Sequence, residues 1–173
     1  MRLILNTAML ALLAASAVWA GDFKEEALGR IDTLEKKYTG LAEAMPQSAY
    51  EWRPMEGVRS VSELFLHITG ANYGLTRFIG TPPPEGFSFQ GFQNSTTKKS
   101  EITPQVKKSF AHLRAAVEKM DVSKKEEPVK MFGGTTTQRG AVLNLLEHLS
   151  EHLGQSIAYA RTNKVVPPWS AGN

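Results

Sequence analysis

The chain contains no cysteine. That removes disulfides, thiolate nucleophiles and cysteine metal ligands. It also removes the residue that would carry a lipid just after an N-terminal leader. Charge of one sign is lacking too, since 20 Lys and Arg stand against 17 Asp and Glu, a formal net charge of +3. Basic pairs such as Lys36-Lys37, Lys98-Lys99, Lys107-Lys108 and Lys124-Lys125 are scattered, and acidic residues sit beside most of them. Without a one-sided basic stripe and interleaved aromatics, no nucleic-acid partner is expected.

Long apolar runs are confined to one place. Leu3 to Ser16 is broken only by Asn6 and Thr7, follows Met1-Arg2, and leads to Val18-Trp19-Ala20. A positive start, a short apolar stretch and small residues make a secretory signal peptide over residues 1–20, cut after Ala20, with Ala17 as the second choice. The run is short for a membrane span, which needs about 20 apolar residues. The expectation is an exported, periplasmic or secreted chain with no stable membrane insertion after cleavage. An uncleaved anchor is the alternative. Residues 21–173 then form one domain with enough chain to bury a core.

Four segments of that domain have helical periodicity. In the first, Ala27, Ile31, Leu34, Tyr38, Leu41 and Met45 share a face, and Met45-Pro46 ends it. The second opens with Ser60-Val61-Ser62-Glu63, a capping box, and runs through Leu64, Ile68, Ala71, Leu75 and Phe78 to Gly80 and Pro82-Pro83-Pro84. A long loop, 81–99, carries Phe87, Phe89 and Phe92 between glycines and is expected to be pinned on the domain. Thr103-Pro104 reads as the start of the third helix, with Val106, Phe110, Leu113, Val117 and Met120 as its buried stripe. Gly133 to Thr137 reads as a loop, and the fourth helix runs from about Gln138 to Asn163. No convincing strand is visible. The fold expected is an all-α four-helix bundle with a long connection between helices 2 and 3.

Three of the four histidines lie in the best-defined helices. His148 and His152 are four apart, so both rings leave one face of the fourth helix. On a helical wheel they border the arc of Val142, Leu145, Leu149 and Leu153, opposite Asn144, Glu147, Glu151 and Gln155. His67 lies at the edge of the second helix's apolar arc, one turn after Glu63. Three neutral imidazoles can hold a divalent ion with a position left open, and the ion keeps its full charge because no ligand is a carboxylate. Glu63, Asn144 and Glu151 are candidates to orient the rings, and Glu63 or Glu151 to accept a proton. Spacing alone does not bring His67 to the other two, and each histidine has a plain reading as a packed or solvated side chain. His112, off the stripe of the third helix, is read as a surface residue.

Three stretches together resemble the DinB-like family: Trp52-Arg53-Pro54 with Gly57 and Ser60 through His67; Thr135-Thr136-Thr137; and His148-Leu149-Ser150-Glu151-His152-Leu153-Gly154-Gln155. The resemblance implies a bundle with up-up-down-down connections. It implies a metal on His67, His148 and His152, with zinc or nickel first and iron or manganese next, and often a homodimer. Characterised relatives include transferases that use the metal to activate a low-molecular-weight thiol. Two departures bear on that chemistry. Those transferases are cytosolic while this chain carries a leader, and Leu153 stands where many relatives have arginine after the last histidine. The functions left in view are a metal-dependent hydrolase or transferase of an unknown small molecule, a non-catalytic periplasmic metal- or small-ligand-binding bundle, and a structural bundle whose histidines are relics.

Overall fold

A computed structural model of the chain describes residues 22–172; the expected signal peptide, 1–20, lies outside them. Four helices build the domain: α1 (Phe23–Ala44), α2 (Val61–Gly74), α3 (Lys99–Lys119) and α4 (Gln138–Thr162). α3 packs against both α1 and α2, and so does α4. Each helix therefore turns its apolar stripe to a shared core, where Ile31, Tyr38, Leu41, Leu66, Ile68, Val106, Phe110 and Leu149 are fully buried. Burying each such side chain is worth about 1.5–3 kcal/mol. Tyr38 ties two helices together by donating its buried hydroxyl to the Leu149 carbonyl at 2.6 Å. No helix of the described residues is long and apolar enough to cross a membrane.

The start of α2 is over-determined, which matters because it carries His67. Ser60 Oγ accepts from the Glu63 N–H at 3.2 Å while Glu63 Oε2 accepts from the Ser60 N–H at 2.7 Å, so the expected capping box is present. The next two free donors are also satisfied. Val61 N–H reaches the Trp52 carbonyl at 3.0 Å and Ser62 N–H the Tyr50 carbonyl at 2.9 Å. The Trp52-Arg53-Pro54 stretch thus works as an extended cap. α2 ends by tightening into a 3₁₀ turn, Leu75–Ile79, closed by Gly80 at φ +86°.

Three expectations need correction. α3 begins at Lys99, one turn before Thr103, and Pro104 lies inside it. Fully buried Ile102 supplies the apolar drive for that extra turn. Gln47 Oε1 accepts from the Lys99 N–H at 2.8 Å and serves as a cap from outside the helix. Residues 128–137 form a two-stranded antiparallel hairpin, β1 (Pro128–Met131) and β2 (Gly134–Thr137), where a loop and no strand were expected. Its two-residue turn is Phe132-Gly133, at φ +50° and +81°, the positive-φ pair that a type I′ turn demands. Thr137 then caps α4 by accepting from the Gly140 N–H at 3.0 Å. His112 is half-buried between helices, with Nε2 3.0 Å from Thr76 Oγ1 and its ring edge-on to Tyr73 at 5.4 Å.

Candidate metal centre

His67 projects from α2 and His148 and His152 from successive turns of α4, and packing of the two helices brings all three together. One ring nitrogen of each lies within 4.8 Å of the others. Ring centroids are 5.1 Å apart for His67–His148, 4.8 Å for His67–His152 and 4.6 Å for His148–His152. All three residues are half-buried. The decisive element is α2, since the pair on α4 was already fixed by spacing.

The charge state suits ligation. Burial, reinforced by Arg59 and by the neighbouring imidazoles, lowers His67 to about 3. Burial, with smaller contributions from His152 and Arg59, lowers His148 to about 4. Both rings are neutral at pH 7 and offer a lone pair.

The hydrogen bonding fits a bound ion as well. His67 Nε2 and His148 Nε2 face each other at 3.1 Å, close to the roughly 3.3 Å between two nitrogens on a tetrahedral zinc ion. His148 Nδ1 is buried without a partner among the described residues. A ring with one nitrogen against another imidazole and the other orphaned has little hydrogen-bonding reason for its position. A cation between the two Nε2 atoms would account for their approach, while the Nδ1 stays without a partner among the described residues.

His152 is oriented by a chain of contacts that residue spacing did not reveal. Its Nδ1 lies 2.8 Å from Gln155 Oε1. As an acceptor there, Gln155 places the ring proton on Nδ1 and leaves Nε2 free to ligate. Gln155 Nε2 donates to the Tyr159 hydroxyl at 2.8 Å, and that hydroxyl donates to the Arg59 carbonyl at 3.0 Å. Trp52 packs edge-on against Tyr159 at 5.3 Å. The Trp52 stretch and the end of α4 therefore meet behind the histidines. The available signal was the i, i+3 spacing of His152 and Gln155, overlooked because Gln155 falls on the polar arc.

The acids named from sequence have different places. Both oxygens of Glu63 are committed, one to the Ser60 N–H and the other to Arg53 Nη2 at 3.0 Å. Burial pushes the Glu63 carboxyl up, but the Ser60 backbone and Arg53 outweigh it and hold the group below its ordinary value. Glu63 lines a polar groove with Arg53, Ser62 and Asn94, outside the lining of the histidine cavity. Glu151 is exposed on α4, next to His152.

Beside His67 and His148 opens a cavity of about 260 Å³ walled by Ala71, Leu75, Phe89 and Phe132, with Gln93 and Asn144 as its polar groups. The phenylalanine loop is seated on α2, as expected. A Cβ on Gly70 would meet Phe92, Phe87 and Phe89 at 3.5–3.9 Å, and one on Gly74 would lie 1.6 Å from the Phe89 ring. Glycine at 74 is what lets that ring reach the cavity.

Fold and site together define a helical bundle with an open cluster of three histidines between two of its helices. The sequence profile of the DinB superfamily matches residues 30–156, and the chain belongs to that superfamily. Two crystal structures of DinB-like proteins share the fold. One, from Bacillus subtilis, has 21% identity and a TM-score of 0.66, covering 82% of this chain and 93% of the other. One from Bacillus cereus has 13% identity and a TM-score of 0.69, covering 83% and 95%. No curated protein matches the sequence.

Proposed function

We propose that this protein is exported and binds a divalent transition ion on His67, His148 and His152, where it acts on or holds a small molecule. The observation that carries the reading is the convergence of three half-buried histidines whose ring nitrogens lie within 4.8 Å. An all-imidazole set suits zinc, nickel and iron better than manganese, which prefers oxygen ligands. The N-terminal apolar run supports export.

An ion so held, when bound, supplies Lewis-acid polarisation and favours an anionic nucleophile, which serves hydrolysis or group transfer. The chain's own residues contribute the rest. Gln155 fixes the His152 tautomer, and Tyr159 fixes Gln155. Phe89 and Phe132 form the apolar wall beside His67 and His148. Glu151, exposed and in no ion pair among the described residues, is freer than Glu63 to accept a proton, although neither acid lines the cavity.

One observation favours a second reading, ligand binding without turnover. Apart from its histidines, the cavity lining offers no carboxylate, hydroxyl or amine among the described residues.

The test is the metal content of untagged protein by plasma mass spectrometry, beside His67→Ala, His148→Ala and His152→Ala. Near-stoichiometric metal in the wild type and none in the variants is expected. No uptake of zinc, nickel, iron or manganese by folded wild type would overturn the proposal. Turnover against co-purified or melting-shift ligands then separates enzyme from binder.

A further inference from the structure

Two features, one lining the histidine cavity and one just behind its lining, are not required for holding an ion. The first is Phe132. It sits at the hairpin tip, 73% exposed, at φ +50°. A bulky residue in the left-handed region costs about 1–2 kcal/mol, and type I′ turns ordinarily use Asn or Gly there. Little packing offsets that cost, since the ring is so exposed and its one close aromatic neighbour among the described residues is Phe78, at 6.0 Å. Yet the ring lines the cavity, as does Phe89, itself 52% exposed. Two exposed aromatic rings on separate loops, one of them on a strained backbone, form an apolar mouth.

The second feature is Arg59, a half-buried cation that forms no ion pair among the described residues. Arg59 lies outside the lining itself, but its Nε donates to Gln93 Oε1 at 3.2 Å, and Gln93 lines the cavity with His67 and His148. The charge of Arg59 reaches both histidines. The Arg59 carbonyl is held by Tyr159 at 3.0 Å, so its backbone is tied to the brace behind His152. Arg53, six residues earlier, is neutralised by Glu63 at 3.0 Å, whereas the Arg59 fork is left open. Among the described residues no acid lines the cavity. Glu151, whose charge reaches His148, lies outside that lining.

On the reading of the site as a metal centre, we propose that the cavity takes a small hydrophobic carboxylate, its head toward the histidines and Arg59 and its apolar body between Phe89 and Phe132. A planar carboxylate matches the guanidinium fork. An ion on neutral ligands adds attraction for the same head. The volume of about 260 Å³ is below the roughly 300–1,000 Å³ of drug-sized sites, which limits the body to one ring or a short branched chain.

Calorimetric titration with benzoate, benzamide and acetate tests this on the zinc-loaded and the metal-free protein, with zinc content measured in each sample. Benzoate is expected to bind about tenfold more tightly than neutral benzamide, the scale of a hydrogen bond to a charged group. It should also bind more tightly than acetate, which lacks the apolar body. In the metal-free protein Arg59→Met should remove the preference over benzamide and Arg59→Lys restore part of it. In the zinc-loaded protein Arg59→Met should reduce the preference without abolishing it. Phe132→Asn should weaken benzoate roughly threefold, the scale of one aromatic contact, leave acetate unchanged and not lower the melting temperature. Equal binding of benzoate and benzamide, or equal weakening of benzoate and acetate by Phe132→Asn, would overturn the inference. If zinc binds and the three probes bind alike, this inference falls and the metal centre stands. If zinc does not bind, the metal centre falls. A benzoate preference in that metal-free sample, abolished by Arg59→Met, would still uphold a carboxylate site.

Discussion

The two walls of the cavity are built on opposite principles. The histidine wall rises from the middle of α2 and α4, helices with fully buried stripes and, for α2, every early N–H satisfied. The aromatic wall is carried by the 81–98 loop and the hairpin tip, where Phe89 is 52% and Phe132 73% exposed. A ligand set needs fixed positions, and helices bound into a core supply them. A recognition surface tolerates variation, and loops supply that without disturbing the core. Changes to one wall should therefore leave the other largely intact.

His148→Ala should have the largest effect. It removes one of three ligands, so metal should be lost from the folded protein. The ion's contribution to stability should go with it, about 2.7 kcal/mol at one hundred times the dissociation constant. Thermal melts with and without added zinc check this, and a variant still shifted by zinc would show that the third histidine is dispensable. Gln155→Leu comes next. Loss of the Nδ1 contact to His152 should weaken metal roughly tenfold or more without changing the helix content. A competition titration with a chelator reads it, and an unchanged affinity would show the brace to be idle.

The pH response sharpens the contrast, because it should come from the histidine wall. In the metal-free protein His67 and His148 lie at about 3 and about 4, below the ordinary 6.5. The unfolded chain then binds protons that the folded one refuses. Stability is complete above about pH 6.5 and falls as the pH drops toward those values. The melting temperature of metal-free protein should fall between about pH 7 and 4, less steeply in His67→Gln. A parallel slope in that variant would assign the titration to other groups.

The aromatic wall should give the smallest changes in the scaffold. Phe132→Asn relieves the positive φ and should raise stability by about 1 kcal/mol with metal unchanged. A denaturant melt that shows destabilisation would mean the ring is part of the packing. Gly74→Ala places a Cβ 1.6 Å from the Phe89 ring, which can swing into solvent, and the gain in helix propensity of about 1 kcal/mol offsets the lost contact. Stability and metal content should hold while protease cuts the 81–98 loop faster. Loss of metal would show the walls to be coupled.

What was legible in the sequence follows the same division. α1, α2 and α4 were readable from period, cap and breaker, and so was the capping box on Ser60. α3 was placed late because Thr103-Pro104 imitates a helix start, while the true cap, Gln47, lies 52 residues away. The hairpin escaped because its strands are four residues each and its turn uses Phe where Asn is usual. His112 was assigned to the surface since no single-helix pattern shows a partner on the neighbouring helix. Gln155 was set aside as polar surface because a wheel drawn for one helix omits Tyr159's link to Arg59.

The sequence by itself determined the helices, the family and the pairing of His148 with His152, because periodicity, capping and one turn of spacing are local properties of a chain. Only the tertiary structure decided that His67, 81 residues from His148, completes the cluster. It alone turned Glu63 toward Arg53, braced His152 through Gln155 and set Phe89 and Phe132 across one cavity. The histidine cluster and the cavity walls join residues distant along the chain and exist only once helix packing has brought α2 against α4. The short-range contacts of Glu63 and Gln155 are selected by the neighbours that packing supplies, such as Tyr159 held on the Arg59 carbonyl.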